Sequence, residues 1–217
     1  MLTAEASVEK QFLPGGKLSL YTVCGGGFAT NSYVMVCERS HAGVIVDGGV
    51  ALAEAWNSLD LDAIDIEQIL LTHGHYDHID GLARLMERKG ARAYAHPSDL
   101  PMISQANIYG FAWGWPRISV PEVAGLPAGG IATSLGDISI RHAPGHTPGG
   151  VCFGIGEALF TGDILFRRST GRTDLPGGNA PLLRETVTRL REAVPPARRC
   201  FPGHGPAFLT SEVELPA

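Results

Sequence analysis

The chain has 217 residues, of which 44% are hydrophobic and 18% are charged, and its formal net charge is -5. This composition is close to that of an average soluble globular protein and excludes an intrinsically disordered chain. The acidic balance, with no clustered basic face, argues against a nucleic-acid partner. No linker interrupts the pattern, so we predict a single domain over residues 1–217.

The first segment of the chain carries no sign of export. Met1–Lys10 contains Glu5 and Glu9 and has no apolar stretch of the kind found in signal peptides. No run elsewhere approaches the length that spans a membrane. We therefore expect a cytoplasmic location and no membrane partner.

Short strands alternate with helices through the first half of the chain. Apolar runs and alternation predict strands at Leu18–Val23, Ser32–Cys37, Gly43–Asp47, Gln68–Leu71 and Ala91–Ala95. Helices are predicted at Ala51–Leu59 and Asp80–Lys89. Gly90 follows the second helix at the position where a C-terminal cap belongs.

The second half repeats this pattern. It predicts strands at Ile138–His142, Val151–Ile155, Ala158–Thr161 and Arg199–Pro202. A helix is predicted at Pro181–Ala193, beginning at a proline, and the aromatic- and proline-rich Ser98–Val120 is predicted to be a long surface loop or lid. Strand-rich blocks followed by helices indicate two sheets packed face to face with helices outside.

The four cysteines are widely spaced and form no CxxC pair; they are Cys24, Cys37, Cys152 and Cys200. A chain of this length can build its own core, so a disulfide framework is not expected. The spacings do not suit a metal site either. We expect four free thiols, most of them buried.

The strongest functional signal is a histidine-rich segment between a predicted buried strand and a predicted helix. Within six residues it holds four potential metal ligands, namely His73, His75, Asp77 and His78. They cannot share one helix face, but a tight loop could turn all of them toward one point. The alternative is a polar surface loop, although three histidines at this spacing are improbable in a chain with eight.

Three later segments add residues of the same type, each at a strand end and flanked by turn formers. They hold His146, Asp163 and His204. A single histidine between glycines is more often only a turn residue, but the order of these segments after the loop makes the set specific. Imidazoles and carboxylates suit zinc, and also iron or manganese. The remaining histidines are expected to be surface or structural residues; they are His41, His96 and His142.

This pattern of HxHxDH, then His, then Asp, then His resembles the metallo-β-lactamase superfamily. The resemblance implies an α/β fold, an αββα sandwich of two mixed sheets with the site at one edge. It implies two divalent metal ions, zinc first, with iron or manganese as alternatives. The implied ligand sets are His73, His75 and His146 for the first metal, Asp77, His78 and His204 for the second, and Asp163 between them. Asp47 would brace the histidine loop without binding metal.

Two features indicate a branch of the superfamily. Asp163 stands where many true β-lactamases have a cysteine, which disfavours antibiotic cleavage. The segment from Gly162 through Gly171 to Gly178 is similar to glyoxalase II-like proteins, in a short form without the C-terminal helical domain. In that comparison Arg172 is a candidate substrate anchor. The alternative is a salt bridge from Arg172 to Asp174 that shapes the loop.

The resemblance implies hydrolysis of a small-molecule thioester such as hydroxyacylglutathione by a hydroxide that bridges the metals. Asp77 and Asp163 would hold the metals and orient the hydroxide. One alternative is a glutathione persulfide dioxygenase with one iron. Another is a metallohydrolase that acts on a different ester or on a phosphoester. The oligomeric state cannot be read. The aromatic residues of Ser98–Val120 could line a pocket or pack into the core, and packing is favoured; they are Tyr109, Phe111, Trp113 and Trp115.

Overall fold

The computed structural model describes residues 6–59 and 61–214. A seven-stranded mixed sheet comes from the N-terminal part of the chain. Its strands lie in sequence order, antiparallel from the first to the fourth and parallel from the fourth to the seventh. They are β1 (Ser7–Phe12), β2 (Leu18–Gly25), β3 (Thr30–Cys37), β4 (Ala42–Val46), β5 (Asp65–Leu70), β6 (Arg92–Ala95) and β7 (Ala124–Gly125).

A six-stranded sheet comes from the C-terminal part. Its strands are β8 (Ile131–Thr133), β9 (Gly136–His142), β10 (Val151–Ile155), β11 (Ala158–Gly162), β12 (Arg199–Pro202) and β13 (Phe208–Leu209). The spatial order is β13-β12-β11-β10-β9-β8, and only β11 and β12 run parallel. The two sheets pack face to face through one buried cluster. In that cluster Tyr33 of the first sheet meets Phe160 and Phe201 of the second edge-on, at centroid distances of 5.1 and 5.8 Å.

Five α-helices and four short 3₁₀ turns complete the described chain. The helices are α1 (Val50–Ala55), α2 (Leu82–Lys89), α3 (Leu100–Ser104), α4 (Ala106–Ala112) and α5 (Ala180–Ala193). The 3₁₀ turns are Trp56–Leu59, Tyr76–His78, Pro97–Asp99 and Thr210–Glu212. Helices α1 and α2 cover the outer face of the first sheet, and α5 covers that of the second. The predicted αββα sandwich is confirmed.

The predicted strands and helices are present with small shifts at their ends. Gly90 has φ of 62° and ends α2 in the left-handed conformation, as its position predicts. The side chain of Asn179 accepts from the Leu182 amide at 3.0 Å and starts α5. The four cysteines are free thiols, although only Cys152 and Cys200 are buried. None of the helices that the structure describes has the length and apolarity to cross a membrane.

One prediction on local structure is wrong, and four strands were not predicted. Ser98–Val120 is not a loop throughout, because it contains α3 and α4, whose Ile103 and Ala106 are buried in the first core cluster. These helices have five and seven residues, too few to produce a helical period in the sequence. The missed strands are β1, which is mostly exposed, and the short β7, β8 and β13.

Candidate metal centre

The candidate site lies where four strands end. Strands β4 and β5 are parallel neighbours in one sheet, and β11 and β12 are parallel neighbours in the other. Parallel strands deliver their carboxyl ends to one edge of a sheet. The edges of the two sheets are joined there by backbone contacts. The Asn31 amide donates to the Gly203 carbonyl at 2.7 Å, and Thr30 forms an isolated antiparallel β-bridge with His204.

All seven candidate ligands converge at this edge. Their donor atoms form three overlapping groups whose members lie within 4.8 Å of one another. The groups are His73 with His75 and His146, His73 with His78 and Asp163, and Asp77 with His78 and His204.

Asp163 lies between the two outer groups. One of its oxygens, Oδ2, is 3.6 Å from His146 Nε2 and 3.3 Å from His204 Nε2. The other, Oδ1, is 3.6 Å from His78 Nε2. A single carboxylate therefore faces histidines of both groups, which is the arrangement a bridging ligand requires.

Five buried polar atoms of the cluster have no hydrogen-bond partner among the described residues. They are the Nε2 atoms of His73, His75, His78 and His146, and Oδ1 of Asp163. An unsatisfied buried polar group costs about 1–3 kcal/mol, so folded proteins rarely leave several together. Imidazole nitrogens and carboxylate oxygens are the donors that zinc and related ions take. The residues therefore fit a bound pair of cations.

The other ring nitrogen is held by the surrounding structure in three of these histidines. Nδ1 of His78 donates to Asp47 Oδ2 at 2.9 Å, and Nδ1 of His146 donates to the Arg172 carbonyl at 2.7 Å. Nδ1 of His73 lies 3.1 Å from the Thr72 hydroxyl. Such contacts fix the tautomer and turn Nε2 toward the centre.

Asp47 braces the histidine loop from outside the cluster. Its carboxylate accepts from the Thr72 amide and hydroxyl, both at 2.8 Å, as well as from His78. Its φ of 61° lies in the left-handed region, which Asp and Asn tolerate better than other side chains. The Gly48 amide donates to the His78 carbonyl at 2.8 Å, so the backbone next to Asp47 also hydrogen-bonds to the histidine loop.

Asp99 is a functional residue that the sequence did not reveal. It is fully buried, and its carboxylate accepts from the Gly74 amide at 2.9 Å, the Thr147 hydroxyl at 2.7 Å and the Gly149 amide at 2.6 Å. Gly74 separates His73 from His75, and Thr147 follows His146. One carboxylate thus ties together the two loops that carry the first group of histidines.

The first group is neutral in the metal-free protein. Burial lowers the pKa of His73 well below its usual value and that of His75 to about 3, and the neighbouring histidines lower both further. Burial also lowers the pKa of His146. These imidazoles therefore keep a free lone pair at neutral pH, as a metal ligand must.

The second group is charged in the metal-free protein. Burial alone would lower the pKa of His78 and His204, but nearby carboxylates outweigh it and raise the values to about 9 and about 11. Burial would raise the pKa of Asp77 and Asp163, but the histidines hold both below the usual value. A cation bound here would replace protons on the two histidines.

Comparison with known proteins now identifies the family. The family model for the metallo-β-lactamase superfamily matches residues 25–204, which include all seven candidate ligands. The chain belongs to this superfamily. It is a metallohydrolase of that group, as its donor cluster also indicates.

Individual members of the superfamily match over most of their length. An uncharacterised protein of Mycobacterium tuberculosis is 36% identical over 201 residues, covering 83% of this chain and 88% of that protein. The probable metallo-hydrolase YqgX of Bacillus subtilis is 31% identical over 159 residues, covering 68% of this chain and 74% of that protein. The structure of TTHA1623 in a di-iron-bound form is 34% identical, with a TM-score of 0.76, covering 88% and 95% of the two chains.

A cleft of about 780 Å³ opens above the cluster. His75, Asp77, His146, Asp163 and His204 line its base. In this superfamily member the metal donors are thus reached from solvent through a cavity large enough for a small organic substrate.

The predicted substrate anchor is engaged within the protein. Arg172 lines the cleft, but its Nε and Nη2 each donate to Asp174 at 2.7 Å. This is the salt bridge that the sequence offered as the alternative to a role as anchor.

The preference for core packing of the aromatic segment is wrong. Tyr109, Trp113 and Trp115 line the cleft, and Phe111 is 87% exposed. The sequence showed the aromatic residues but not the direction in which α4 and the turn after it point their side chains.

Proposed function

We propose that the protein is a binuclear metallohydrolase that cleaves a small-molecule thioester. The observation that carries the proposal is the group of five buried donor atoms without a partner among the described residues, three of which belong to residues that line an open cleft. Structural zinc sites are usually closed clusters of four ligands, whereas seven donors beside a cleft suit catalysis. Membership of the superfamily and the relative named as a probable metallo-hydrolase support the reaction class.

The proposed ligand sets follow the three groups of donors. His73, His75 and His146 would hold one ion, Asp77, His78 and His204 the other, and Asp163 both. When bound, two such ions lower the pKa of a water to about 7. Their positive charge also stabilises the carbonyl oxygen as it becomes negative. We propose zinc, with iron or manganese as alternatives. The di-iron form of the similar structure makes iron the first alternative to test.

The chain's own groups supply orientation. Asp77 Oδ2 accepts from the Thr30 hydroxyl at 2.6 Å, which fixes that carboxylate at the base of the cleft. We propose that Asp77 and Asp163 orient the attacking water and help to take its proton. A thiolate leaves readily without a strong general acid, so cleavage of a thioester would need no acid beyond the groups at the metal centre.

Two sequence features support a thioester over other substrates. Asp163 replaces the cysteine of many true β-lactamases, and the segment after it is similar to glyoxalase II-like proteins. Hydroxyacylglutathione is the representative substrate of that branch. Arg172 as an anchor for its carboxylates stays a prediction, because Asp174 competes for the guanidinium.

The test combines metal analysis with assays on three substrates. The purified protein is assayed with S-lactoylglutathione, with an S-acyl-N-acetylcysteamine, and with glutathione persulfide while oxygen is monitored. We expect two metals per chain and thioester cleavage that needs no oxygen, lost with a chelator and restored by added metal. One iron per chain with oxygen uptake, or bound metal without cleavage of either thioester, would contradict the proposal.

A further inference from the structure

Four aromatic rings form a continuous wall along one side of the cleft. This aromatic wall consists of Phe28, Tyr76, Trp113 and Trp115, all of which line the cleft. Trp115 is its centre: it lies edge-on to Phe28 at 4.9 Å, tilted to Tyr76 at 5.0 Å and stacked on Trp113 at 6.2 Å between ring centroids.

The inner end of the aromatic wall lies at the metal centre. Tyr76 stands between His75 and Asp77 in the chain, and its ring is fixed in place. Its hydroxyl donates to the Pro116 carbonyl at 2.6 Å, and a Cβ at Gly110 would come within 3.3 Å of the ring. The wall therefore begins at the loop that carries four of the candidate ligands.

The outer end of the wall is open to solvent. Phe28 is 41% exposed and Trp113 is 55% exposed. Exposed aromatic rings that rim a cavity commonly mark the place where an apolar ligand is covered. Aromatic groups stack favourably on such rings, beyond the area that they bury.

The charged residues beside the cleft are already paired. The arginines that line it each have a carboxylate partner: Arg172 has Asp174 at 2.7 Å, Arg168 has Glu214 at 3.4 Å, and Arg167 has Glu212 at 3.6 Å. A tail with two carboxylates, such as that of glutathione, would have to compete with these partners. An apolar group could pack against the aromatic wall without displacing any ion pair.

We propose that the preferred substrates carry a bulky apolar acyl group, above all an aromatic one, which stacks on the aromatic wall. Both halves of a thioester are bonded to the carbon that is attacked, so the choice of the acyl half is tested by varying the acyl group on one thiol. This inference rests on the proposed thioester hydrolysis for its chemistry, whereas binding of the aromatic group can be measured without any reaction.

The kinetic test compares acyl groups on one small neutral thiol. We expect kcat/KM for S-phenylacetyl-N-acetylcysteamine to exceed that for the S-acetyl compound of the same thiol by about tenfold or more. In a separate comparison of whole substrates, it should also exceed that for S-lactoylglutathione. Trp113→Ala and Phe28→Ala should remove most of this advantage while metal content is unchanged. Phe111→Ala is the matched control, because Phe111 is an exposed aromatic residue of α4 that does not line the cleft.

The binding test separates this inference from the proposed function. Calorimetry of the metal-loaded protein should show 1-naphthylacetate binding at least about tenfold more tightly than acetate, with the difference lost in Trp113→Ala and kept in Phe111→Ala. If that holds while no thioester is cleaved, the proposed reaction fails and the aromatic site stands. Equal binding of the two carboxylates, equal effects of the two variants, or faster turnover of lactoylglutathione would overturn the inference.

Discussion

Single carboxylates outside the ligand cluster set the geometry of its histidines. Asp47 accepts a hydrogen bond from His78 and two from Thr72, and its backbone is in a conformation that few residues tolerate. Asp99 makes the corresponding contacts to Gly74 and Thr147 on the other side of the centre. These two residues act on the metals only through the ligands that they hold, so their replacement tests the geometry itself.

Asp47→Asn should weaken the second metal site most, through His78, and the first site less, through Thr72 and His73. Asparagine tolerates the left-handed backbone, so the turn is kept. Its amide nitrogen accepts no hydrogen bond, however, so either the Thr72 amide or His78 loses its acceptor. Loss of such a contact typically reduces metal affinity by about 10–100-fold. A chelator competition titration, which resolves the two binding steps, measures the change. Equal affinities of the variant and the parent protein at both steps would refute the role.

Asp99→Asn should weaken the first metal site instead. The NH2 group of asparagine would replace one of the two oxygens that accept these hydrogen bonds. At least one buried donor, the Gly74 amide, the Gly149 amide or the Thr147 hydroxyl, would then lose its acceptor. We expect a loss of stability of about 1–3 kcal/mol and a drop of about tenfold or more in affinity at the first site. The exposed Asp137, replaced in the same way, is the control. Reduced stability with unchanged affinity would make Asp99 a merely structural residue.

Thiol reactivity offers a test that does not involve the metal. Hydrogen bonds from Ser40 lower the pKa of Cys37, whereas burial raises the pKa of Cys152 and of Cys200 to about 12. Since the thiolate is the reactive form, Cys37 should be alkylated at a lower pH than an ordinary thiol. Cys152 and Cys200 should stay unmodified in the native protein at pH 8 and react after denaturation. Peptide mass spectrometry identifies the sites, and native labelling of Cys152 would contradict the structure.

At the scale of elements, the centre depends on turns that bring backbone close to ligands. Gly203, between β12 and His204, has no room for a side chain, because a Cβ there would overlap the Asp163 carboxylate and lie 2.7 Å from His78 Cε1. The close approach of the turn to Asp163 explains why a glycine stands before the last ligand.

Gly203→Ala should therefore abolish the second metal site. The added methyl group displaces Asp163 or His78, so we expect one metal per chain or fewer and a loss of most hydrolytic activity. Gly27→Ala is the control, since a Cβ at Gly27 meets nothing within 4 Å. Metal analysis of both variants checks the prediction, and two metals in Gly203→Ala would disprove the close packing.

The elements also show what a sequence can predict and what it cannot. The seven candidate ligands could be recognised because each stands beside turn-forming residues at or near a strand end, in an order that one family shares. Asp99 could not, because its partners lie 25, 48 and 50 residues away and two of them are backbone amides, which no motif encodes. The aromatic wall was missed for a similar reason: its rings come from three separate parts of the chain, namely the β2–β3 turn, the histidine loop and the segment after α4, and no motif brings them together.

At the scale of the whole molecule, the centre joins the two sheets. Asp47 and the histidine loop follow strands of the first sheet, and Asp163 and His204 follow strands of the second. The sheets already share a core of aromatic and aliphatic residues. Cations held by both sheets would add links at the open edge of the sandwich and couple metal binding to folding.

The most direct test of the account is the number of metal ions per chain, measured by elemental analysis after dialysis against metal-free buffer. If the cluster binds two cations, the parent protein should hold two ions per chain and Asp163→Ala one or fewer. His41→Asn, which changes an exposed histidine outside the cluster, should also hold two. Two ions retained in Asp163→Ala, or none in the parent protein supplied with zinc or iron, would contradict it.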